Sequence, residues 1–527
     1  MGNPKISILL QVVNNAPFTN KELQKTFNSL EHQYEKNFEV IFYGQNSVIQ
    51  NSVKKYGFKF VKTDSNSKSK ALNAALAAAD GDYILICNNE ANVIESKRSA
   101  TAFYSMVMDR NPECNLLYTD YDLIDNDSKK EIKLLEFHRG RILDTWDMGY
   151  CLLFKRSFLS SINFADEAYK YNPIYDIRLK AYETNKIVHV SNRFNGVPYV
   201  VYAAAKGHDV FAYLKAGKEI SLELEKIATE HLKRIGAYLA PGQNYRAATY
   251  SKTEEEAFAE CLATVAIPVF NRPDFIGSAI ESIQAQTVQN IEVCIVCNGG
   301  EDDPTIPAVK RYMEGGDKFD PAKPKVRLIV HDLNIIGLCL NAALQSSKAK
   351  YYIQLDSDDL LFEDAVEKIL KVYDEDDKIG MVIGTYQVFE KKENGDVVPV
   401  LVDGKPFIVT HDEWTEENGR NNLLRVGGAG APRSIKIKVL KEMGWFGMND
   451  TPYCRNYGED YELVNRVVEH YRIGRVWEPI YKVVRHAGGT DHNIDQVTID
   501  VNENAKDHMR IQAIRRRQRI NGVKNTI

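Results

Sequence analysis

No apolar run in this 527-residue chain approaches the ~20 residues that a membrane-spanning helix needs. The start, MGNPKISILL, has too short an apolar stretch for a secretory leader, and Ile6 stands where myristoylation favours Ser or Thr. Positive charge is not in excess either. Sixty-seven Lys and Arg against 72 Asp and Glu leave a net charge of -5, which argues against a nucleic-acid partner. Cysteine is sparse: the eight are scattered, most in apolar strand-like runs, which excludes a disulfide framework and suits reduced thiols in a cytosolic compartment. Cys294 and Cys297 have C-x-x-C spacing, but in the strand IEVCIVC their side chains fall on opposite faces, so they read as core residues. What remains is an ordinary globular composition, 44% hydrophobic and 26% charged, long enough for about two to four domains.

The most informative stretch is KYYIQLDSDDLL, residues 350–361, where an apolar strand ends abruptly in Asp356-Ser357-Asp358-Asp359. In an open α/β sheet the ligand crevice lies beyond the carboxyl ends of the strands, so these carboxylates face a ligand. Crowded carboxylates repel one another unless a cation lies between them, and a hard divalent ion with oxygen ligands fits. The plainer alternative is an acidic turn capping a helix that begins near Phe362.

One fold is written twice. KISILLQVVN (5–14), a helical stretch near 21–32 and the strand 38–42 recur as LATVAIPVFN (262–271), a helix at 275–286 and a strand at 291–296. The register sets Asn73 against Asn341 and Tyr83 against Tyr352, IYDIRLKAYE (174–183) against GEDYELVNRV (458–467), and VPYVVYAAAKG (197–207) against EPIYKVVRHAGG (478–489). A repeat of this length is a duplicated domain, and its alternating strands and helices imply a mostly parallel, doubly wound α/β sheet. Residues 208–238 carry a helical period, including Phe211 and Leu214, and the turn-rich Ala240-Pro241-Gly242-Gln243 followed by Glu254-Glu255-Glu256 puts the boundary near residue 250. The predicted domains are 1–250 and 251–527. Within the second, ENGD (393–396) and DGK (403–405) read as hairpin turns, and Gly427–Arg433 as small-residue backbone that lies against a ligand or forms a plain loop.

Several motifs together resemble family 2 glycosyltransferases of the GT-A fold. They are Ile267-Pro268-Val269-Phe270-Asn271, Asn334 to Gly337 with Asn341, the DxD motif Asp356-Ser357-Asp358, the "ED" helix Gly458-Glu459-Asp460-Tyr461-Glu462-Leu463, and Arg485-His486. The doubled pattern is similar to tandem bacterial polysaccharide synthases. The resemblance implies two tandem GT-A domains (Rossmann-like, nucleotide-diphospho-sugar transferase type), the first degenerate and the second catalytic. It implies Mn2+ or Mg2+ held by Asp358, Asp356 and His486, with His492 in reserve; Asp460 as general base beside Glu459; and donor contacts from Pro268, Phe270, Asn271, Arg272, Asn298, Asn334, Gly337, Asn341, Asp356 and Arg433. The partners expected are a nucleotide sugar, UDP-sugars first, and a glycan or lipid-linked glycan acceptor, in the cytoplasm or at the inner membrane face.

The chain departs from the family at Cys297-Asn298, where two acidic residues are usual, and at Leu340, where a basic residue is common. In the first copy the aligned positions are Cys87 for Asp356, Asn89 for Asp358 and Ala205 for His486, with Asp176 retained opposite Asp460. Binding of acceptor, a structural role, and metal-independent transfer using Lys70 all stay open for that copy. The tail arginines 510, 515, 516, 517 and 519 read either as a solvated helical end or as a surface for anionic lipid. Two rivals for the whole chain are a sugar nucleotidyltransferase, disfavoured because IPVFNRPDF is not a Gly-rich basic phosphate loop, and a non-catalytic sugar- or nucleotide-binding scaffold.

Overall fold

The computed structural model describes residues 5–12, 20–45, 49–63, 65–88, 93–125, 128–192, 194–202, 217–428, 430–450, 455–486 and 495–524. Two compact units divide the chain, Met1–Gly236 and Ala237–Thr526. The division precedes residue 250 because the intervening segment is hydrogen-bonded into the second unit: the Leu239 N–H donates to Asn421 Oδ1 (3.0 Å) and the Arg246 N–H to the His470 carbonyl (2.8 Å). The helix Lys218–Arg234 closes the first unit; Phe211 and Leu214 lie outside the described residues.

In the second unit the parallel strands Lys325–Val330, Ile291–Cys297, Ala263–Val269 and Tyr351–Gln354 stand in that order. The inner strands Ile291–Cys297 and Ala263–Val269 are nearly continuous apolar runs, as strands covered on both faces must be, whereas the edge strand Lys325–Val330 is mostly half-buried. Cys294 and Cys297 are buried free thiols within one of them. Beyond this point the sheet is mixed, with only Ile379–Lys391 and Arg472–Arg485 pairing in parallel among the described strands. Arg433–Lys436 runs antiparallel to Tyr351–Gln354, then come the long strands Ile379–Lys391 and Arg472–Arg485 and the short Leu360–Leu361. The reversal has a functional consequence, because Ile353 pairs with Ser434. The antiparallel strand therefore starts where the acidic strand ends, and Arg433 is delivered to the carboxylates. Both hairpins form: Val397–Pro399 folds back on Phe389–Lys391, and Leu401–Val402 on Lys405–Pro406.

The first unit repeats the plan with Lys59–Lys62, Phe38–Gly44, Ile6–Val12, Tyr83–Cys87, antiparallel Cys151–Lys155, Leu116–Thr119 and Ile187–Val190. Shared hydrogen bonds fix the correspondence between the units. Ser7 Oγ donates to Glu39 (2.6 Å) as Thr264 Oγ1 does to Glu292 (2.7 Å). Ser7 then pairs with Ile84, while Thr264 pairs with Tyr352. This corrects the sequence register by one residue, since Ile84 and not Tyr83 stands opposite Tyr352. Asn88 rather than Cys87 therefore occupies the Asp356 position, and by sequence count alone Glu90 rather than Asn89 aligns with Asp358. Asn89, Glu90 and Ala205 lie outside the described residues.

The helix alignment also shifts. The Tyr175 hydroxyl donates to the Ile142 carbonyl (2.7 Å) as Tyr461 does to Leu423 (2.8 Å). The pair Lys180–Asp176 (2.7 Å) likewise matches Arg466–Glu462 (2.6 Å). Asp176 is thus the counterpart of Glu462, and Pro173-Ile174 stand where the second unit has Glu459-Asp460. Both slips arose because a short motif matched by letter alone tolerates a shift of one or two residues, whereas a buried hydroxyl has a single carbonyl in reach.

A further correction concerns the tail. In the helix Gln496–Ile520, Arg510 and Arg517 are each 0% exposed. Arg510 donates to the Tyr461 hydroxyl, to Asp507 and to the Val426 carbonyl, Arg516 to Glu469, and Arg517 to the Arg420 carbonyl. Of the five arginines only Arg519 is exposed, so the helix offers no continuous basic surface. Among the described residues no helix is long and apolar enough to cross a membrane.

Asn341 and Gly337 both have structural roles. Asn341 Nδ2 donates to the Phe446 carbonyl (2.8 Å) and its Oδ1 accepts from the Phe446 N–H (3.0 Å), so both ends of the amide are occupied. Asn73 makes the same reciprocal pair with Ala165 (2.9 and 3.1 Å). A Cβ on Gly337 would lie 1.9 Å from the Gly447 carbonyl oxygen, so only glycine fits there. Asn341→Ala should cost roughly 2–3 kcal/mol by leaving two buried backbone groups unpaired. Chemical denaturation checks this, and unchanged stability with lost nucleotide binding would return Asn341 to the ligand site.

Candidate active site

The acidic segment follows the strand Tyr351–Gln354 directly, and its three carboxylates are used differently. Asp356 keeps an open face, with its backbone N–H donating to the Tyr481 hydroxyl oxygen (3.0 Å). Asp358 is partly buried, and its Oδ2 lies 3.0 Å from His486 Nε2. The His486 ring packs against Phe275 at 4.4 Å between centroids. Asp359 points inward at 8% exposure and accepts from the Val484 N–H (2.7 Å). Burial and the nearby Asp356 charge push Asp359 up to about 8. Crowding by protein, the Asp358 charge next, also raises Asp356.

The second pair of carboxylates comes from the helix Glu459–His470. Gly458 opens it at φ +83, and a Cβ there would also meet Met509 Cε at 2.9 Å. That left-handed residue turns the chain so that Glu459 and Asp460 enter the first helical turn, where carboxylates are favoured by the free N–H groups. Asp460 Oδ1 accepts from the Tyr461 N–H (2.6 Å), and its Oδ2 lies 2.8 Å from the Arg433 guanidinium. Burial would raise Asp460, but Arg433 and Lys506 outweigh it and hold the carboxyl below its ordinary range. Glu459 is pushed up to about 7 by burial and by Asp460, and its Oε2 is buried without a hydrogen-bond partner among the described residues. Arg433 acts electrostatically on Asp356, Glu459 and Asp460 together, so the two acidic motifs share one neighbourhood.

On the other side, Asn298 is buried and its Nδ2 donates to Asn334 Oδ1 (3.1 Å), while its Oδ1 has no hydrogen-bond partner among the described residues. The Asn334 carbonyl accepts from Asn456 Nδ2 (2.6 Å). Phe270 is half exposed at the end of the strand that contains Pro268. Asn271 and Arg272 are held through their backbones: the Asn271 N–H donates to Asp303 (3.1 Å) and the Arg272 N–H to Thr305 Oγ1 (2.9 Å). His492 lies outside the described residues. Sequence reasoning missed Asp303, Tyr481 and Lys506. Only Asp303 had a local signal, the run Glu301-Asp302-Asp303; Tyr481 and Lys506 reach the site from distant elements.

Among the described residues no three of His, Cys, Asp and Glu form a ready cage for a metal ion. Asp358 and His486 do present two adjacent donors, an oxygen and an imidazole nitrogen, to which Mn2+ or Mg2+ is suited when a ligand supplies further oxygens.

At the end of the strand Tyr351–Gln354, then, two acidic motifs and one guanidinium share one neighbourhood. Residues 7–91 and 264–419 both match the family described as Glycosyl transferase family 2. Each unit thus carries one segment that matches that family, and the two units are tandem GT-A-type domains. Chondroitin synthase of Pasteurella multocida is 36% identical over 124 residues, 24% of this chain and 12% of that synthase. Hyaluronan synthase of the same species matches equally. The chain thus spans only a small part of these relatives. An uncharacterized glycosyltransferase of Rickettsia felis is 22% identical over 525 residues, covering 93% of this chain and 81% of its own length. Among solved structures, TarS 1–349 of S. aureus in complex with UDP-GlcNAc is similar with a TM-score of 0.33 and 15% identity, over 48% of this chain and 72% of that one.

Glu459 provides a pH prediction. Because its folded pKa is raised from 4.5 to about 7, the native state binds the extra proton between those values, and stability falls as pH rises through that window. In metal-free buffer Glu459→Gln should remove this loss, gaining roughly 1–3 kcal/mol over the wild type between pH 5 and pH 8. Parallel denaturation curves at both pH values would refute it.

Proposed function

We propose that the second unit is an inverting, metal-dependent glycosyltransferase that moves a sugar from a nucleoside-diphosphate donor to a glycan or lipid-linked glycan. The observation that carries this reading is the meeting of the two acidic motifs around Arg433, with Asp460 held ionised. The matches to chondroitin and hyaluronan synthases support a glycan acceptor.

In this mechanism the Asp460 carboxylate accepts the proton of the acceptor hydroxyl as its oxygen attacks the anomeric carbon. The bond from that carbon to the diphosphate oxygen breaks, and the electron pair leaves with the diphosphate. Glu459, its carboxyl pushed up to about 7 by burial and by Asp460, is placed to orient the acceptor. Asp358 and His486 would hold the cation, with Asp356 beside them; when bound, it supplies charge neutralisation for the departing diphosphate. Asn298 and Asn334 supply the polar edge for the nucleoside, and Arg272 a cation for phosphate.

The first unit, with Pro173-Ile174 in place of Glu459-Asp460, lacks the carboxylate pair and is proposed to be non-catalytic. Glu90 at the Asp358 position favours the second reading, in which that unit retains a donor site and the protein carries two activities.

A donor screen across UDP-, GDP- and dTDP-sugars with Mn2+ tests the activity. Asp460→Asn should lower kcat by roughly 10²–10⁴-fold with donor binding retained. Asp358→Ala should abolish transfer in the full-length protein. Survival of kcat in the first variant removes Asp460 as base; residual transfer in the second assigns an activity to the first unit.

A further inference from the structure

Arg433 occupies a position that the transfer reaction alone does not explain. It is 9% exposed, at the start of the antiparallel strand, with one guanidinium nitrogen donating to the Gly430 carbonyl and another 2.8 Å from Asp460 Oδ2. In this arrangement the carboxylate that should accept a proton is already engaged by a cation. A base locked in an ion pair is a weak one, because each proton it takes up must displace the guanidinium. The same guanidinium lies beside the segment of Asp356, where the donor's diphosphate is expected. A diphosphate carries more charge than a carboxylate and matches the fork of an arginine at least as well. Lys506 provides the compensation. Its ammonium donates to the Gly427 carbonyl, lies 4.5 Å from the centroid of the Tyr457 ring, and acts on Asp460 from the C-terminal helix. It is anchored independently of Arg433.

Resting on the glycosyltransferase reading above, we infer that Arg433 is a donor-responsive positioning residue: it pairs with Asp460 in the free enzyme and transfers to the diphosphate when the donor binds, releasing Asp460 to act as base. The arrangement couples base strength to donor occupancy, so a site without donor holds a restrained base. Lys506 stays behind to keep Asp460 from remaining protonated. The coupling follows from shared use of one cation, since two anions that compete for it each weaken the other's hold.

The test is a double-mutant cycle on nucleotide affinity, with UDP, GDP and dTDP as probes and Mn2+ present, measured by calorimetry on the full-length protein. Asp460→Asn removes the competitor, so the nucleotide that binds should do so roughly fivefold or more tighter than to the wild type. In an Arg433→Gln background the same change should have no effect. Arg433→Lys, which keeps the charge and loses the fork, should give an intermediate coupling and serves if the glutamine variant does not fold. Glu459→Gln separates simple removal of negative charge from competition, since a mere charge effect would persist in the Arg433→Gln background. Equal tightening in both backgrounds, or none in either, overturns the switch while leaving the transferase reading intact. Failure of all three nucleotides to bind the wild type overturns both.

Discussion

The site depends on a charge imbalance at one edge of one sheet. Asp356, Asp358, Asp359, Glu459 and Asp460 converge where the strand Tyr351–Gln354 ends, and Arg433 is the cation that reaches both motifs. Such a cluster is costly to fold, because crowded carboxylates repel one another unless they are protonated or paired with cations. The protein lessens the cost in several ways. Two carboxyls, Asp359 and Glu459, retain protons towards neutrality; one, Asp460, is ion-paired; and Asp358 leans on His486.

The antiparallel strand Arg433–Lys436 makes this possible. Had it been parallel to its neighbour, Arg433 would begin at the opposite edge of the sheet, far from the carboxylates it serves. The loop before it is fastened by His411, whose Nε2 lies 2.7 Å from the Ala431 carbonyl. His411 is itself steadied by Glu413 at 3.1 Å. The C-terminal helix contributes from another direction, with Arg510 buried against Tyr461 and Lys506 one turn earlier facing Asp460. Arg510 and Arg517, which resemble part of a surface patch in the sequence, are thus internal struts, Arg510 bracing the helix Glu459–His470.

Comparison of the units separates scaffold from chemistry. Each keeps a hydroxyl-to-carboxylate bond between its first two strands, a reciprocal asparagine clamp, a tyrosine anchoring the helix Pro173–Thr184 or Glu459–His470, and an ion pair within that helix. Those interactions hold the fold regardless of activity. The acidic pair at the start of that helix differs: Glu459-Asp460 in one unit and Pro173-Ile174 in the other. Asn341 belongs with the scaffold, although its motif placed it among the ligand residues.

By itself the sequence determined the doubled α/β pattern, the acidic turn after an apolar strand, and the existence of the glutamate–aspartate pair. These are properties of short contiguous segments, where period and local charge are enough. It could not determine the register between copies, because residue letters tolerate shifts of one or two positions that buried hydroxyl and amide pairs do not. Nor could it determine the antiparallel entry of Arg433, the inward turn of Arg510 and Arg517, or the approach of Lys506 to Asp460. Those were decided by tertiary structure: a long charged side chain goes wherever distant elements leave it a partner, and such partners are brought together only when the sheet and its covering helices pack.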